Sequence, residues 1–528
     1  MQKRSQVVKV VCFLIIGTML FFGLQGLLTP DFVKDDSANY VGRTIRSFFE
    51  LEENSIDVLF LGSSHVICGV SPMEIYENTK IRTYSLSTPA QPMECSYYLL
   101  KKALETQKPQ VVVLDAYRLF ETGDEDAMWR YVLDSLPLDP IKIELAQAYE
   151  NRVAEADKLS ALFPIIKYHT RWNNLTETDF DYNKSVSYYS MGQWMCAGVT
   201  GTEFTRESLD NEIAAIRKLD PALYDPHISD YGMECLQKIQ NLCNENGIEL
   251  LMVKIPVIAY PAPNATVWDR IKHDQTVAVA EQLQIPFIDM MYDVDTGVDF
   301  TVDTMDEGLH LNMHGAKKIS DYLGTYLTEK YGIQGTVNAA FEQNLQLYRQ
   351  VYAIGQLQAE MNFTLYMNWL RENANNLTVL IAGKDNIVPG LDEEDYVLLE
   401  SMGLQKIRDV EEFGAYLAIL EQGECVYEVV SNQEISCEAM VDGKQARIVS
   451  PGWNANNKIE ISISGMQHAA KTSGLNIVVY DHATGMVIDS VTFNTATKQK
   501  PTNRNWRLVN NYLYSYADKV CFGEEEGA

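Results

Sequence analysis

Basic residues are scarce in this 528-residue chain: 43 Lys and Arg face 72 Asp and Glu, a formal charge of −29 with no long acidic tail to account for it. Phosphate binding needs clustered cations, and the acidic bulk of the chain offers none, so nucleic acid is excluded as an expected partner. Cysteine occurs nine times but never as CxxC and never in a metal-ligand cluster. No metal site is therefore expected, and nothing else in the sequence calls for a cofactor. The thiols read as buried and free, with Cys425 and Cys437 the first pair to test if the chain meets an oxidising compartment. Repeats and low-complexity tracts are missing too. What remains, 46% hydrophobic and 22% charged, suffices for two or three packed domains, since single cores seldom grow past about 250 to 300 residues.

Against this acidic background the first residues stand out. Lys3, Arg4 and Lys9 precede an uncharged run from Val10 to Leu28, VVCFLIIGTMLFFGLQGLL, and Asp31, Lys34, Asp35 and Asp36 follow it. A run of that length nearly spans a bilayer. The flanking charges predict a single-pass anchor over residues 1–30, cytoplasmic at its N-terminus, with the rest of the chain outside the cytoplasm. A cleaved signal peptide is the competing reading, but no small-residue cleavage site of the A-x-A kind follows the run.

From Asp57 onward short apolar runs alternate with helical patterns. Strands are expected at Asp57 to Leu61, Arg82 to Leu86, Gln110 to Asp115, Glu249 to Ile255 and Pro286 to Asp289. Helices are expected at Met73 to Asn78, Glu94 to Thr106, Ser229 to Asn246, Thr276 to Leu283 and Ala316 to Lys330. That alternation predicts an α/β fold with a five-stranded, doubly wound parallel sheet. The stretch from Tyr117 to His227 is too long for a plain connection and reads as a helical insertion. After a helical run from Ala340 to Asn373 the chain turns β-rich, with strands expected at Leu377 to Ala382, Ala415 to Leu420, Val426 to Val430, Ile459 to Ile463, Asn476 to Tyr480 and Val487 to Phe493.

Two segments carry chemistry. In DVLFLGSSH, Asp57 to His65, an apolar strand breaks at Gly62 into two serines and a helix-compatible stretch. A hydroxyl there sits at the carboxyl end of a strand, where open α/β sheets hold their ligands, and backbone N–H groups at such a turn face a developing oxyanion. An ordinary strand-to-helix turn with a capping serine is the alternative. In DTMDEGLHLNMHGAKK, Asp303 to Lys318, a carboxylate shortly before His310 can fix one imidazole nitrogen and leave the other free to take a serine proton.

FLGSSH followed, after the fifth strand, by MDEGLHLNMHGAKK resembles the SGNH, or GDSL-like, hydrolase superfamily. GSSH with HLN..GA.K is similar, more narrowly, to its envelope branch found beside membrane-bound O-acyltransferases of lipoteichoic acid D-alanylation and exopolysaccharide acetylation. FPIIKYHTRW, Phe163 to Trp172, resembles a stretch of the same branch. The resemblance covers roughly residues 50 to 332. It implies a flavodoxin-like three-layer domain interrupted by the insertion at 117–227, and the β-rich sequence beyond it reads as a separate α+β accessory domain at 375–528.

Residue by residue, the resemblance makes Ser64 the nucleophile and His310 the base. Asp306 is the orienting acid, four residues before His310 instead of three, with Glu307 at the three-residue position as the alternative. The oxyanion hole falls to Ser64, Ser87 and Gln91, because the Asn of the superfamily's third block is missing and LDAYRLF stands there instead. His65, Arg171 and Trp172 are candidate substrate contacts. The implied activity is esterase or O-acyl transfer, with acetyl the acyl group the resemblance implies, on a cell-surface polysaccharide or envelope polymer. A membrane-bound O-acyltransferase is the implied partner. A non-catalytic glycan-binding or scaffolding component is the other reading.

Overall fold

The computed structural model describes residues 2–30, 41–175, 189–203, 227–258, 265–453, 457–497, 502–504 and 506–522. Residues 31–40 and parts of the insertion at 117–227 lie outside them. The chain divides into two compact units: Met1–Met195 with Thr200–Gln346, and Cys196–Val199 with Leu347–Ala528.

The first unit is built on five parallel strands, β1 (Val58–Leu61), β2 (Thr83–Ser85), β3 (Val111–Asp115), β4 (Glu249–Lys254) and β5 (Phe287–Asp289), in the order β2-β1-β3-β4-β5. The near-continuous apolar sequence of β1, β3 and β4 follows from burial on both faces. On one face Val58, Phe60, Val111, Val113, Leu251 and Val253 pack with Val66, Ile75, Ile319 and Leu323 from the helices Ser64–Gly69, Pro72–Thr79 and Met313–Tyr331. Asp57 and Arg82, expected as strand residues, stand just before β1 and β2 and bind each other, Nη2 to Oδ1 at 2.7 Å. Two polar side chains thus tie the strand entrances together.

Helix starts are set by side chains. Ser71 accepts from the Glu74 N–H with Pro72 opening the helix behind it, and Asn312 accepts from the N–H groups of His314 and Gly315. The last helix therefore begins at Met313, earlier than its apolar pattern suggests. β2 is the edge of the sheet, and its outer N–H at Ser85 donates to the Met191 carbonyl at 2.9 Å.

The described insertion is helical up to residue 173, with Asp126–Leu133, Pro140–Arg152, Lys158–Leu162, Ile165–Tyr168 and a 3-10 turn at His169–Asn173, while residues 189–203 form turns and coil. The N-terminal helix Gln2–Leu28 exposes its apolar side chains, and among the described residues it is the one helix long and apolar enough to cross a membrane. A signal sequence has the same properties.

In the second unit six strands, β6 (Leu377–Lys384), β7 (Ala415–Glu421), β8 (Glu424–Ser431), β13 (Gly474–Asp481), β14 (Met486–Phe493) and β15 (Thr502–Asn503), form an antiparallel sheet. Four more, β9 (Ile435–Val441), β10 (Lys444–Ser450), β11 (Glu460–Ile463) and β12 (Met466–Gln467), form another. The β9–β10 hairpin was not anticipated, although Asp442-Gly443, with φ of 52° and 71°, is the dipeptide that such a two-residue turn requires. The expected helix from Ala340 to Asn373 is two helices, Ala339–Ala359 and Phe363–Glu372, parted where Asn362 caps the second. All nine cysteines are free thiols: Cys425 lies on β8 and Cys437 on β9, in different sheets, and they form no disulfide.

Candidate active site

At the carboxyl end of β1 the chain turns at Gly62. A Cβ there would stand 2.5 Å from the Asp115 Cβ and 2.6 Å from Val66, so only glycine lets the strand pass this close to β3. Ser63 takes the N-cap position, yet its side chain caps nothing. Its hydroxyl donates instead to Asp115 Oδ2 at 3.0 Å, which leaves Ser64, the first residue of the short helix, as the hydroxyl that is partly open. The capping-serine alternative therefore does not describe the turn.

The facing loop comes from beyond β5. Asp306 Oδ1 accepts the His310 backbone N–H at 2.7 Å and its Oδ2 accepts from His310 Nδ1 at 2.6 Å. With that proton on Nδ1, Nε2 is bare and accepts from Ser64 Oγ at 2.8 Å. The extra residue in the spacing is absorbed by two turn residues, Glu307 at φ 61° and Gly308 at φ 103°. Glu307 is exposed, and its N–H donates to the Thr200 carbonyl; the carboxylate that reaches His310 is that of Asp306. Asp303 is buried against Lys318, 2.5 Å away, and serves the loop's structure. A serine hydroxyl, an imidazole and a carboxylate in this row can pass a proton from oxygen to nitrogen while the resulting imidazolium is held.

Comparison with known proteins adds little to this geometry. No protein-family model matches the chain, and no curated protein does. Among solved structures, a Bacteroides fragilis protein provisionally described as an acylhydrolase aligns over 55% of this chain and 95% of its own, at 12% identity and a TM-score of 0.27. A likeness at that level carries no argument about fold or activity, and the residues themselves have to carry it.

The other expected residues separate into two groups. His65 is beside the row: buried, stacked on the His310 ring at 5.2 Å and edge-on to Tyr117 at 4.1 Å. Its Nδ1 lies 3.3 Å from Ser63 Oγ, whose own proton goes to Asp115, so Nδ1 is the donor. Burial first, then the positive fields of His310, Lys254 and Arg118, hold its pKa well below the ordinary histidine value, against a weak pull from the Leu309 carbonyl. Burial likewise pushes Asp115 up to about 6, although its bonds from Tyr117 and Ser63 and the charge of Lys254 oppose the rise.

Ser87 and Gln91 follow β2, just past the bond from the Leu86 N–H to the Phe60 carbonyl that registers β2 on β1. Gln91 Nε2 is spent on Ser96 Oγ at 2.8 Å, while Ser87 Oγ, Thr88 Oγ1 and Gln91 Oε1 are buried and have no hydrogen-bond partner among the described residues. Arg171 and Trp172 are elsewhere. Arg171 donates to the Leu28 carbonyl at the end of the N-terminal helix, 2.8 Å away, and Trp172 is 72% exposed in the adjoining turn. They are not brought to Ser64 by any described contact.

Sequence reasoning missed the group beneath the site. Lys254 closes β4 and binds Asp269 at 2.6 Å; Asp289 closes β5 and takes His273 Nδ1 at 3.1 Å. A charged residue ending an otherwise apolar buried strand was the available signal. Among the described residues no group of His, Cys, Asp and Glu could hold a metal ion.

Proposed function

We propose that the chain is a serine esterase or O-acyltransferase of the SGNH kind, working through an acyl-Ser64 intermediate. The observation that carries this reading is the continuous row Ser64 Oγ, His310 Nε2, His310 Nδ1, Asp306 Oδ2 at 2.8 and 2.6 Å, assembled from segments 246 residues apart at the carboxyl edge of a parallel sheet. His310 takes the Ser64 proton as oxygen attacks the ester carbonyl, then returns it to the leaving oxygen. A second hydroxyl, of water or of an acceptor, gives its proton to His310 and releases the acyl group, restoring the Ser64 proton. The Ser64 N–H and the loop after β2 are the nearest backbone donors for the oxyanion.

The apolar N-terminal helix supports a membrane-anchored protein with its catalytic unit outside the cytoplasm, and the sequence blocks support an envelope polysaccharide or polymer as substrate beside a membrane-bound O-acyltransferase. The committed Gln91 amide and the Asp115 carboxylate favour a second reading, a non-catalytic component that binds glycan. Turnover of p-nitrophenyl acetate by the full chain separates the two. The esterase reading expects activity with an acetyl mass adduct on Ser64, both lost in Ser64→Ala and in His310→Ala; a wild type no faster than these variants, without adduct, would sink it.

A further inference from the structure

The N-terminal helix Gln2–Leu28 is held by the insertion at its far end. Arg171 donates to the Leu28 carbonyl at 2.8 Å, and the rings of Phe21 and Phe163 meet edge-on at 5.8 Å. The helix Ile165–Tyr168 and the turn His169–Asn173 both pack against it. At the same end a cavity of about 290 Å³ is lined by Phe22, Gln25 and Thr29 of the helix and by Leu138, Lys142 and Pro164 of the insertion. Phe21 stands seven residues before Leu28, which at about 1.5 Å of rise per residue is about 10 Å along the axis. The insertion therefore runs beside the last turns of the apolar helix and does not stop at its end. Whatever depth those turns occupy in a bilayer, the insertion shares it.

The surface of the insertion suits that depth. Outside the N-terminal helix, the described residues of the first unit expose seven large apolar side chains, and five of them, Leu138, Ile143, Leu159, Ile166 and Trp172, fall between residues 138 and 172. Exposed apolar residues are ordinary when scattered singly, and a concentration of them marks a contact surface. Charge points the same way. From Lys158 to Thr176 there is no Asp or Glu, while Lys158, Lys167 and Arg171 are present, in a chain of net charge −29. Lys167 reaches Asp126 at 2.7 Å, an exposed pair that leaves the ammonium at the surface. A Trp among Lys and Arg is the composition of the interfacial zone, where rings sit at headgroup level and cations meet phosphate.

We propose that the insertion from Leu138 to Trp172 is a second membrane contact, its exposed apolar side chains entering the headgroup and acyl boundary of the bilayer that the N-terminal helix crosses. Amphipathic segments settle about 5 to 10 Å into that boundary, the same range over which the insertion accompanies the helix. The occupant of this face is lipid. The inference rests on the reading of Gln2–Leu28 as a membrane anchor and extends it: a lone helix would let the first unit swing, whereas two contacts fix the height of Ser64 above the membrane.

The test places the full chain in nanodiscs of phosphatidylcholine and phosphatidylglycerol doped with a phospholipid that carries a photoactivatable diazirine near the carbonyl end of its acyl chain. After irradiation the lipid adducts are mapped by peptide mass spectrometry. Adducts are expected both within residues 10–28 and within 138–172. In Leu159→Gln/Ile166→Gln, and separately in Trp172→Gln, adducts within 138–172 are expected to fall about threefold or more while those within 10–28 hold. These side chains are exposed, so the variants keep the fold. Adducts confined to 10–28 in the wild type overturn the inference and leave the anchor standing, as they would if a membrane protein covers the face in place of lipid. Adducts within 138–172 that neither variant reduces also overturn it. Adducts within 138–172 with none in 10–28 remove the anchor and keep the surface, and adducts in neither segment overturn both.

Discussion

On the side of Ser64 that faces His310, every polar atom of the row has a partner, down to the two oxygens of Asp306 that take the ring and the backbone of one residue. On the side of the loop after β2, Ser87 Oγ, Thr88 Oγ1 and Gln91 Oε1 are buried and have no hydrogen-bond partner among the described residues. A buried polar group left unpaired costs about 1 to 3 kcal/mol, so the second side holds hydrogen-bonding capacity that the free chain does not use. In the serine-esterase reading proposed above, the histidine side is complete in the free chain and the loop after β2 is the side left for substrate.

The contrast breaks outright if the base side proves dispensable. Ser64→Ala and His310→Ala are expected to lose about four orders of magnitude or more in kcat for p-nitrophenyl acetate. Asp306→Asn sharpens it, with an expected loss on the order of 10² to 10⁴, against about twofold for Glu307→Gln; equal losses would mean that the loop rearranges to use the glutamate. Asp115, between the two sides, is tested by stability. Its folded pKa of about 6 lies above the ordinary 3.8, so the folded protein binds the proton more tightly than the unfolded chain, and stability present below pH 4 is lost as pH rises through 6. Asp115→Asn should remove that slope, a difference on the order of 3 kcal/mol between pH 4 and 8 in paired denaturant titrations, while wild type and variant with the same slope would rule out the buried charge. The smallest effect is expected at Gln91→Ala. Because its amide nitrogen is spent on Ser96, kcat should fall by about tenfold or less, where a dedicated oxyanion donor gives about 10² to 10³.

The parallel sheet was legible because four of its strands are short apolar runs ended by a charge or glycine, β2 (Thr-Tyr-Ser) being the exception, and the five are separated by helical periods. Strand ends were less so: Asp57 and Arg82 look like strand residues until their ion pair is seen. The serine and histidine stood out by position relative to strands. The acid did not, since two carboxylates in a row differ only in the turn between them, and φ at Glu307 and Gly308 is what decides which one reaches back. Arg171 and Trp172 show the opposite failure. Their residue types suit sugar binding, but nothing local in the sequence says that the turn carrying them meets the end of the N-terminal helix.

The bond from the Ser85 N–H to the Met191 carbonyl occupies the rim of β2, the outermost strand on that side of the sheet. An uncovered rim is a template on which a strand from another molecule can be laid down. The segment around Met191 therefore acts as a stopper, and its removal is expected to show first as concentration-dependent self-association and only afterwards as a change in chemistry.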